Sequence, residues 1–339
     1  QKTYNFSAGP AMLNPYVLEA TSQATIEYND CGMSLMEMSH RSQPVVDMVK
    51  ETELLVGELL QLPQHYQVLF LQGGASLQFS MIPMNLLGPD QVADYTDTGA
   101  WAHKAITEAQ LFGKVNVACS SKDSSYNHIP KNLKCSKDAV YLHLTSNNTI
   151  YGTQWASFPN LDDSRSYLIA DMSSDIFSRE FDITDFGLIY AGAQKNIGPA
   201  GVTLVVVKKD ILGKVSREIP SMLDYNVHIE KKSLFNTPPV FAIYATLLNL
   251  RWIKKKTIKS ISQNNLKKAK MLYDEIDNNE LFKGFADVQD RSLMNVTFDL
   301  VDNNLSNTFG FTVGLSLIHI SEPTRRRGIS YDVFCLKKK

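Results

Sequence analysis

Seven short apolar runs alternate with helix-like stretches between about residues 45 and 255, and this alternation constrains the fold more than any other feature. Such runs are typical of strands that are buried on both faces, and parallel neighbours among them need a helix-length connection. Residues 45–60, for example, place their apolar side chains on one stripe of a helix. We therefore predict an α/β fold with a largely parallel sheet. Its strands are predicted at 68–71, 92–96, 115–119, 140–144, 167–170, 188–191 and 202–207.

The character of the sequence changes after about residue 255, where a lysine-rich helical pattern is followed by short strand-like runs. We expect a large α/β domain at 16–255 and a smaller α+β domain at 256–309, joined by a helix near 240–256. The N-terminal segment 1–15 is expected to pack with the small domain.

Composition excludes several classes of function. The chain has 34 Lys+Arg against 35 Asp+Glu, so a net charge of −1 gives no electrostatic reason to expect nucleic acid or an anionic membrane as partner. Its longest apolar stretches, 202–207 and 240–250, are too short to span a bilayer. The N-terminus lacks a signal-peptide pattern. The four cysteines are scattered without a CxxC pair, which does not indicate a disulfide scaffold and favours a reducing compartment. We therefore expect a cytoplasmic protein.

Two charged residues follow apolar runs at predicted strand ends, where α/β proteins bind ligands. Lys195 comes just after the 188–191 run, and a desolvated lysine there has a lowered pKa and can form a Schiff base. Asp171 ends the 167–170 run, 24 positions earlier. In a pyridoxal phosphate (PLP) enzyme such a carboxylate pairs with the pyridine nitrogen. The alternatives are a solvated loop lysine and a helix N-cap aspartate.

Three further segments indicate binding functions. Residues 72–78, QGGASLQ, follow a strand and open a helix, an arrangement that suits phosphate but matches neither dinucleotide nor P-loop motifs. The alternative is an ordinary glycine-containing turn. Trp101 follows a glycine turn and is either a core residue or a stacking partner for an aromatic cofactor. His40 and Arg41 suit a phosphate or carboxylate, unless Arg41 is simply an exposed salt-bridge residue.

Together these segments resemble the phosphoserine aminotransferases, class V members of the fold-type-I PLP-dependent enzymes. The resemblance implies a large domain with a mostly parallel seven-stranded sheet, a smaller α+β C-terminal domain, and a homodimer with shared active sites. The matching segments appear in the family's order: NFSAGPAMLN (5–14), EMSHRS (37–42), LFLQGGAS (69–76), DYTDTGAWAHKA (94–105), IADMSSDIFSR (169–179), YAGAQKNIGPAGVT (190–203) and FNTPPVFAIY (235–244).

The resemblance also implies a role for each matched residue. Lys195 would carry PLP as a Schiff base and move the α-proton of the substrate. Asp171 would hold the pyridine nitrogen, and Trp101 would stack on the ring. The cofactor phosphate would be bound by Ala75, Ser76 and Gln194, and across the dimer by Asn236 and Thr237. The phenolic oxygen of the cofactor would be bonded to Thr149. The anionic groups of the substrate would be contacted by His40 and Arg41, also across the dimer.

The implied reaction is reversible amino transfer between L-glutamate and 3-phosphohydroxypyruvate, which gives 2-oxoglutarate and O-phospho-L-serine by a ping-pong mechanism without a metal. One alternative is another class V activity. A cysteine desulfurase needs a loop cysteine after the cofactor lysine. Cys31, Cys119 and Cys135 do not provide one, and Cys335 lies in the tail after residue 309 that departs from the family. The other alternative is a PLP-binding chain with little turnover.

The second alternative arises because the sequence departs from the family pattern after about residue 309. The arginine and the His-Arg pair that the family uses for substrate are not recognisable there. The substring LIHISEPTRRR resembles a translated sequencing adapter, so we expect 310–339 not to be native family sequence. We also expect an incomplete small domain, with apolar side chains such as Val296 and Phe298 poorly covered.

Overall fold

A computed structural model describes residues 5–161, 167–301 and 315–316 of the chain, the last pair as backbone only. The helices are α1 (Pro15–Ile26), α2 (Gln43–Leu59), α3 (Gly74–Leu86), α4 (Ala100–Ala109), α5 (Ala193–Asn196), α6 (Tyr225–Glu230), α7 (Val240–Lys256) and α8 (Ile258–Asn278). The strands are β1 (Tyr66–Leu71), β2 (Val92–Asp97), β3 (Lys114–Ser120), β4 (Ala139–Thr145), β5 (Asn147–Asn148), β6 (Thr153–Gln154), β7 (Tyr167–Asp171), β8 (Phe186–Gly192), β9 (Thr203–Lys208), β10 (Phe282–Gly284), β11 (Asn295–Val296), β12 (Phe298–Leu300) and β13 (Leu315–Ser316).

Seven strands form the central sheet, in the order β1-β9-β8-β7-β4-β2-β3. The pairs from β8 through β7, β4 and β2 to β3 are all parallel. Strand β9 is antiparallel to both of its neighbours, β8 and β1. Six strands therefore direct their carboxyl ends to the same edge of the sheet, and the prediction of a mostly parallel seven-stranded sheet is confirmed.

Helices cover both faces of this sheet, which explains why its strands are apolar throughout. Val68 and Phe70 of β1 pack in one hydrophobic cluster with side chains of α1, α2 and α7. Leu69 and Leu71 pack in the other, with side chains of α3 and α4. Successive residues of a strand point to opposite faces, so a strand covered on both sides needs apolar residues at every position.

A third hydrophobic cluster lies beyond α7 and joins Ala269, Tyr273 and Ile276 of α8 to Val296 and Phe298. Val296 is 0% exposed and Phe298 is 4% exposed, so the expectation that these two side chains are poorly covered was wrong. Strand β11 pairs with β13 through the backbone, opposite Leu315 and Ser316. Apart from this pair, residues 310–339 lie outside the described part of the chain. That they are not native family sequence therefore stays a prediction.

The domain boundaries proposed near residues 15, 255 and 309 stay predictions.

In the described ranges, every helix is too short or too polar to cross a bilayer.

Candidate active site

The residues singled out in the sequence come together at the carboxyl edge of the sheet. Strand β7 ends at Asp171 itself, and β8 ends three residues before Lys195. Thr149 follows the end of β4 by four residues, and Trp101 follows the end of β2 by four residues. Because these four strands are parallel neighbours, their ends place the four side chains in one region, as ligand sites in α/β sheets require.

The amine of Lys195 is held between a hydroxyl and an aromatic ring. Its Nζ donates a hydrogen bond to Thr149 Oγ1 at 2.7 Å and lies 5.7 Å from the centroid of the Trp101 ring. Desolvation lowers the pKa of this lysine, and the nearby carboxylates of Asp171 and Asp175 oppose that shift. A larger fraction of the amine is therefore neutral, and nucleophilic, than in a solvated lysine.

Asp171 is a buried carboxylate, 5% exposed. Its Oδ1 accepts hydrogen bonds from the Ser173 backbone N–H at 2.9 Å and from the Ser173 hydroxyl at 2.6 Å. Burial raises the pKa of Asp171, whereas the bonds from Ser173 and the charge of Lys195 lower it. Among the described residues no side chain forms a salt bridge with Asp171. A cationic ring nitrogen would supply the missing partner.

The glycine turn before α3 presents backbone N–H groups to the same edge of the sheet. Gly73 and Gly74 both have positive φ, +85° and +65°, which glycine adopts at little cost. A side chain at Gly73 would lie 2.6 Å from Leu77, so the close turn also needs a residue without Cβ. Ala75 is half-buried and Ser76 is exposed in the first turn, where N–H groups have no partner within the helix. This is the geometry of a phosphate site.

Trp101 stands in the first turn of α4, close to the hairpin that carries Thr149. A Cβ at Gly99 would lie 2.6 Å from Asn148 Oδ1, so glycine permits the close approach of these two segments. The Lys104 ammonium lies 4.6 Å from the centroid of the Trp101 ring. Trp101 therefore meets two cations, Lys104 and Lys195, within 6 Å of its centroid.

Gln194 and the N-terminal segment surround the lysine turn. Gln194 is half-buried, and its backbone carbonyl accepts a hydrogen bond from the Ala11 N–H at 2.8 Å. A side chain at Gly9 would lie 3.2 Å from Cγ of Lys195. The segment 5–14 thus lies against Lys195, while its packing with the small domain stays a prediction.

His40 and Thr237 are 197 positions apart, yet Thr237 Oγ1 lies 3.2 Å from His40 Nδ1. The Thr237 carbonyl accepts a hydrogen bond from Gln72 Nε2 at 3.0 Å, and Asn236 is half-buried beside it. His40 Nε2 is buried without a hydrogen-bond partner in the described part of the chain, and Arg41 is exposed. The hydrogen bonds of His40 and Thr237 therefore lead to Gln72, just before Gly73. They do not lead to Lys195 or Asp171 of the same chain.

Sequence reasoning missed a buried polar network behind Thr149. Asp175 is 4% exposed and accepts hydrogen bonds from Ser146 Oγ and from Gln154 Nε2, the latter at 3.0 Å. Arg179 lies 3.7 Å from the same carboxylate, and burial raises the pKa of Asp175. The available signal was the polar run SNNT (146–149) that directly follows strand β4.

Fold and site together define a PLP-dependent enzyme. The model of the Aminotransferase class-V family matches residues 3–312, and the chain belongs to this family. Its cofactor is pyridoxal phosphate.

Within that family the chain is similar to phosphoserine aminotransferases. The phosphoserine aminotransferase of Flavobacterium psychrophilum is 54% identical over 310 residues, 91% of this chain and 86% of the relative. The solved phosphoserine aminotransferase from Bacillus circulans subsp. alkalophilus is 46% identical with a TM-score of 0.87, covering 91% of this chain and 86% of that one. The PLP-bound enzyme from Trichomonas vaginalis is 34% identical with a TM-score of 0.85, covering 91% and 88%. Accordingly, this chain is a transferase of the phosphoserine aminotransferase type.

Proposed function

We propose that the chain catalyses reversible amino transfer between L-glutamate and 3-phosphohydroxypyruvate, which gives 2-oxoglutarate and O-phospho-L-serine in serine biosynthesis. The observation that carries this proposal is the juxtaposition of a buried carboxylate, Asp171, with a desolvated amine, Lys195, held 2.7 Å from Thr149. In a family of PLP-dependent aminotransferases these are the groups that the chemistry needs.

The residues present fit pyridoxal phosphate. Asp171 is buried and forms no salt bridge within the described residues, which suits a pyridinium nitrogen, and Trp101 offers a flat apolar face beside Lys195. The N–H groups of Ala75 and Ser76, together with Gln194, are available for the phosphate. When bound, the cofactor acts as an electron sink for charge that develops at the substrate α-carbon.

We propose that Lys195 is both the attachment point and the catalytic base. Burial lowers the pKa of its amine, so the neutral form that accepts a proton is more populated near neutral pH. Thr149 Oγ1 orients Nζ by accepting its hydrogen bond. Ser173 fixes Asp171 Oδ1 with two hydrogen bonds, which would keep this carboxylate in place to hold the pyridine nitrogen.

The direct test is an assay of purified protein with PLP, L-glutamate and 3-phosphohydroxypyruvate. We expect 2-oxoglutarate and O-phospho-L-serine to form in equal amounts, and hydroxypyruvate without its phosphate to be a much poorer acceptor. Protein that binds PLP but forms neither product would contradict the proposed reaction while leaving the cofactor assignment intact. Turnover with an unphosphorylated acceptor alone would contradict the proposed substrate.

We also propose a homodimer in which His40, Arg41, Asn236 and Thr237 serve the site of the partner subunit. Support comes from the hydrogen bonds of His40 and Thr237, which join them to each other and to Gln72 and not to Lys195 of their own chain.

We further propose a cytoplasmic location, which the unpaired state of Cys31, Cys119 and Cys135 supports.

Mixing two inactive variants tests the shared site. In heterodimers of an Arg41→Ala chain with a Lys195→Ala chain, one site has both defects and the other has none. We expect such heterodimers to recover roughly half the activity of the wild-type dimer, because a two-fold interface builds two equivalent sites. The measurement is phosphoserine formation by isolated heterodimers, with each homodimer as control. If Arg41 served its own subunit, no site would be intact and activity would stay at the level of the homodimers.

A further inference from the structure

The hairpin formed by β5 and β6 carries Thr149, which accepts the hydrogen bond of the Lys195 amine. Each of its strands is two residues long, which is too short for backbone pairing alone to stabilise a hairpin. Asn147 and Gln154 are opposite each other in its register, and they are 2% and 5% exposed. Two such buried amides must find hydrogen-bond partners outside the hairpin.

The side-chain amide of Asn147 joins two distant segments. Its Nδ2 donates to Ser174 Oγ and to Asn295 Oδ1, both at 2.8 Å, and its Oδ1 accepts a hydrogen bond from Ser292 Oγ. Ser174 also donates to the Asn147 carbonyl at 2.9 Å. Because Ser174 lies three residues after Asp171, these bonds connect the segment of the buried carboxylate to residues 292–295.

Gln154 makes a second bridge between the same two segments. Its Nε2 donates to Asp175 Oδ2 at 3.0 Å, and its Oε1 accepts a hydrogen bond from the Leu293 N–H at 3.0 Å. Asn147 and Gln154, referred to here as the amide clamp, thus fix both strands of the hairpin on two sides.

We propose that the amide clamp positions Thr149 against the Lys195 amine, and that Asn147 is its principal positioning residue. Asn147 makes more of the bridging bonds and stands two residues before Thr149. A displacement of about 1 Å is enough to break a hydrogen bond of normal length, so the hairpin must be held firmly for Thr149 to stay bonded. The inference rests on the proposed role of Lys195 as the cofactor-bearing lysine.

The test measures how fast hydroxylamine removes pyridoxal phosphate from the holoenzyme, a reaction that reports on the attachment at Lys195 independently of turnover. We expect Asn147→Ala to accelerate removal about tenfold and Thr149→Val to accelerate it at least as much. If the clamp acts through Thr149, the double variant releases cofactor no faster than Thr149→Val alone, because two changes to one contact are not additive. Accelerations that multiply in the double variant would contradict this route.

Asn85 provides a matched control. It is also 2% exposed, and its amide donates to the Met81 and Leu223 carbonyls at 2.8 Å each and accepts from the Tyr225 N–H at 3.1 Å. We expect Asn85→Ala to lower the melting temperature without changing the rate of cofactor removal. An equal acceleration in Asn85→Ala would show that general loosening, and not positioning, is responsible.

Ser292→Ala is the second variant, in case Asn147→Ala does not fold. It removes the bond to Asn147 Oδ1 from the opposite side, and we expect a smaller acceleration in the same direction. Wild-type rates in both Asn147→Ala and Ser292→Ala would overturn the clamp. A wild-type protein without covalently attached cofactor would instead overturn the proposed function on which the clamp depends.

Discussion

Replacing Lys195 with alanine is expected to abolish covalent attachment of pyridoxal phosphate and to lower kcat by about 10⁴-fold or more, as is common when a residue that carries the chemistry is removed. The reason is that the variant loses both the amine that attaches the cofactor and the base at the α-proton. The measurement is borohydride reduction of the protein with its cofactor, followed by peptide mass analysis. Wild-type protein should carry the reduced adduct on Lys195, and the variant should carry none.

Lys104 is the matched control for this experiment. Its ammonium lies 4.6 Å from the centroid of the Trp101 ring, closer than that of Lys195 at 5.7 Å, but Lys104 is exposed and lies on the surface of α4. We expect Lys104→Ala to retain the adduct on Lys195. An adduct on Lys104 or any other lysine in wild-type protein would contradict the assignment.

Asp171→Asn is expected to have opposite effects on the protein with and without cofactor. The asparagine keeps an Oδ1 acceptor for Ser173 but loses the charge that would face the pyridine nitrogen. Removing one partner of a buried charge pair costs about 2–5 kcal/mol, which is roughly 30-fold to several-thousand-fold in cofactor affinity. Without cofactor, the cost of burying the charge exceeds what the bonds from Ser173 and the charge of Lys195 recover, so the variant should melt higher, on the order of 2–4 °C for each kcal/mol gained.

The pH dependence of this stabilisation follows from the direction of the pKa shift. Burial raises the pKa of Asp171 above 3.8 in the folded chain without cofactor. As the pH rises from about 4, the unfolded chain releases this proton before the folded chain does, so the free energy of unfolding decreases. The asparagine has no proton to lose. The difference in melting temperature between variant and wild type should therefore grow from pH 4 towards neutrality.

Melting curves of both cofactor-free proteins across this pH range are the appropriate measurement. Asn148→Asp makes a useful comparison, since Asn148 is also buried near the site but carries no charge in the wild type. A wild-type protein as stable as Asp171→Asn at pH 7 would show that Asp171 has a compensating partner even without cofactor.

Local sequence patterns predicted the sheet well, because a strand covered on both faces must be apolar at successive positions, as Val68 to Leu71 are. Lys195 and Asp171 were predicted from their places after such strands, since the parallel arrangement turns neighbouring strand ends into neighbouring positions in space. Their individual roles came from the resemblance to a family, because position at a strand end does not by itself separate a catalytic group from a capping residue.

Contacts between segments far apart in the chain were beyond sequence reasoning. The hydrogen bond between Asn147 and Ser292 spans 145 positions, and nothing in either local sequence specifies its partner. The wrong expectation for Val296 rested on the departure from the family pattern after about residue 309, whereas this side chain packs with residues of α8.

The reversed strand β9 restricts the motion of the segment that bears Lys195. The connections from β1 to β2 and from β2 to β3 contain the helices α3 and α4, whereas β8 continues into β9 through only ten residues, 193–202, because the two strands are antiparallel neighbours. Ala193 and Val202 close this link with a hydrogen bond of 3.0 Å, directly beyond the pair of Gly192 and Thr203. A short link closed at its base has little conformational entropy. Within it, the N–H groups of Ala193, Ile197 and Gly198 donate hydrogen bonds to the carbonyls of Val202 and Ala193. We expect these three amides to be protected from hydrogen exchange almost as strongly as those of the strands on either side, because they open only when the centre of the sheet opens.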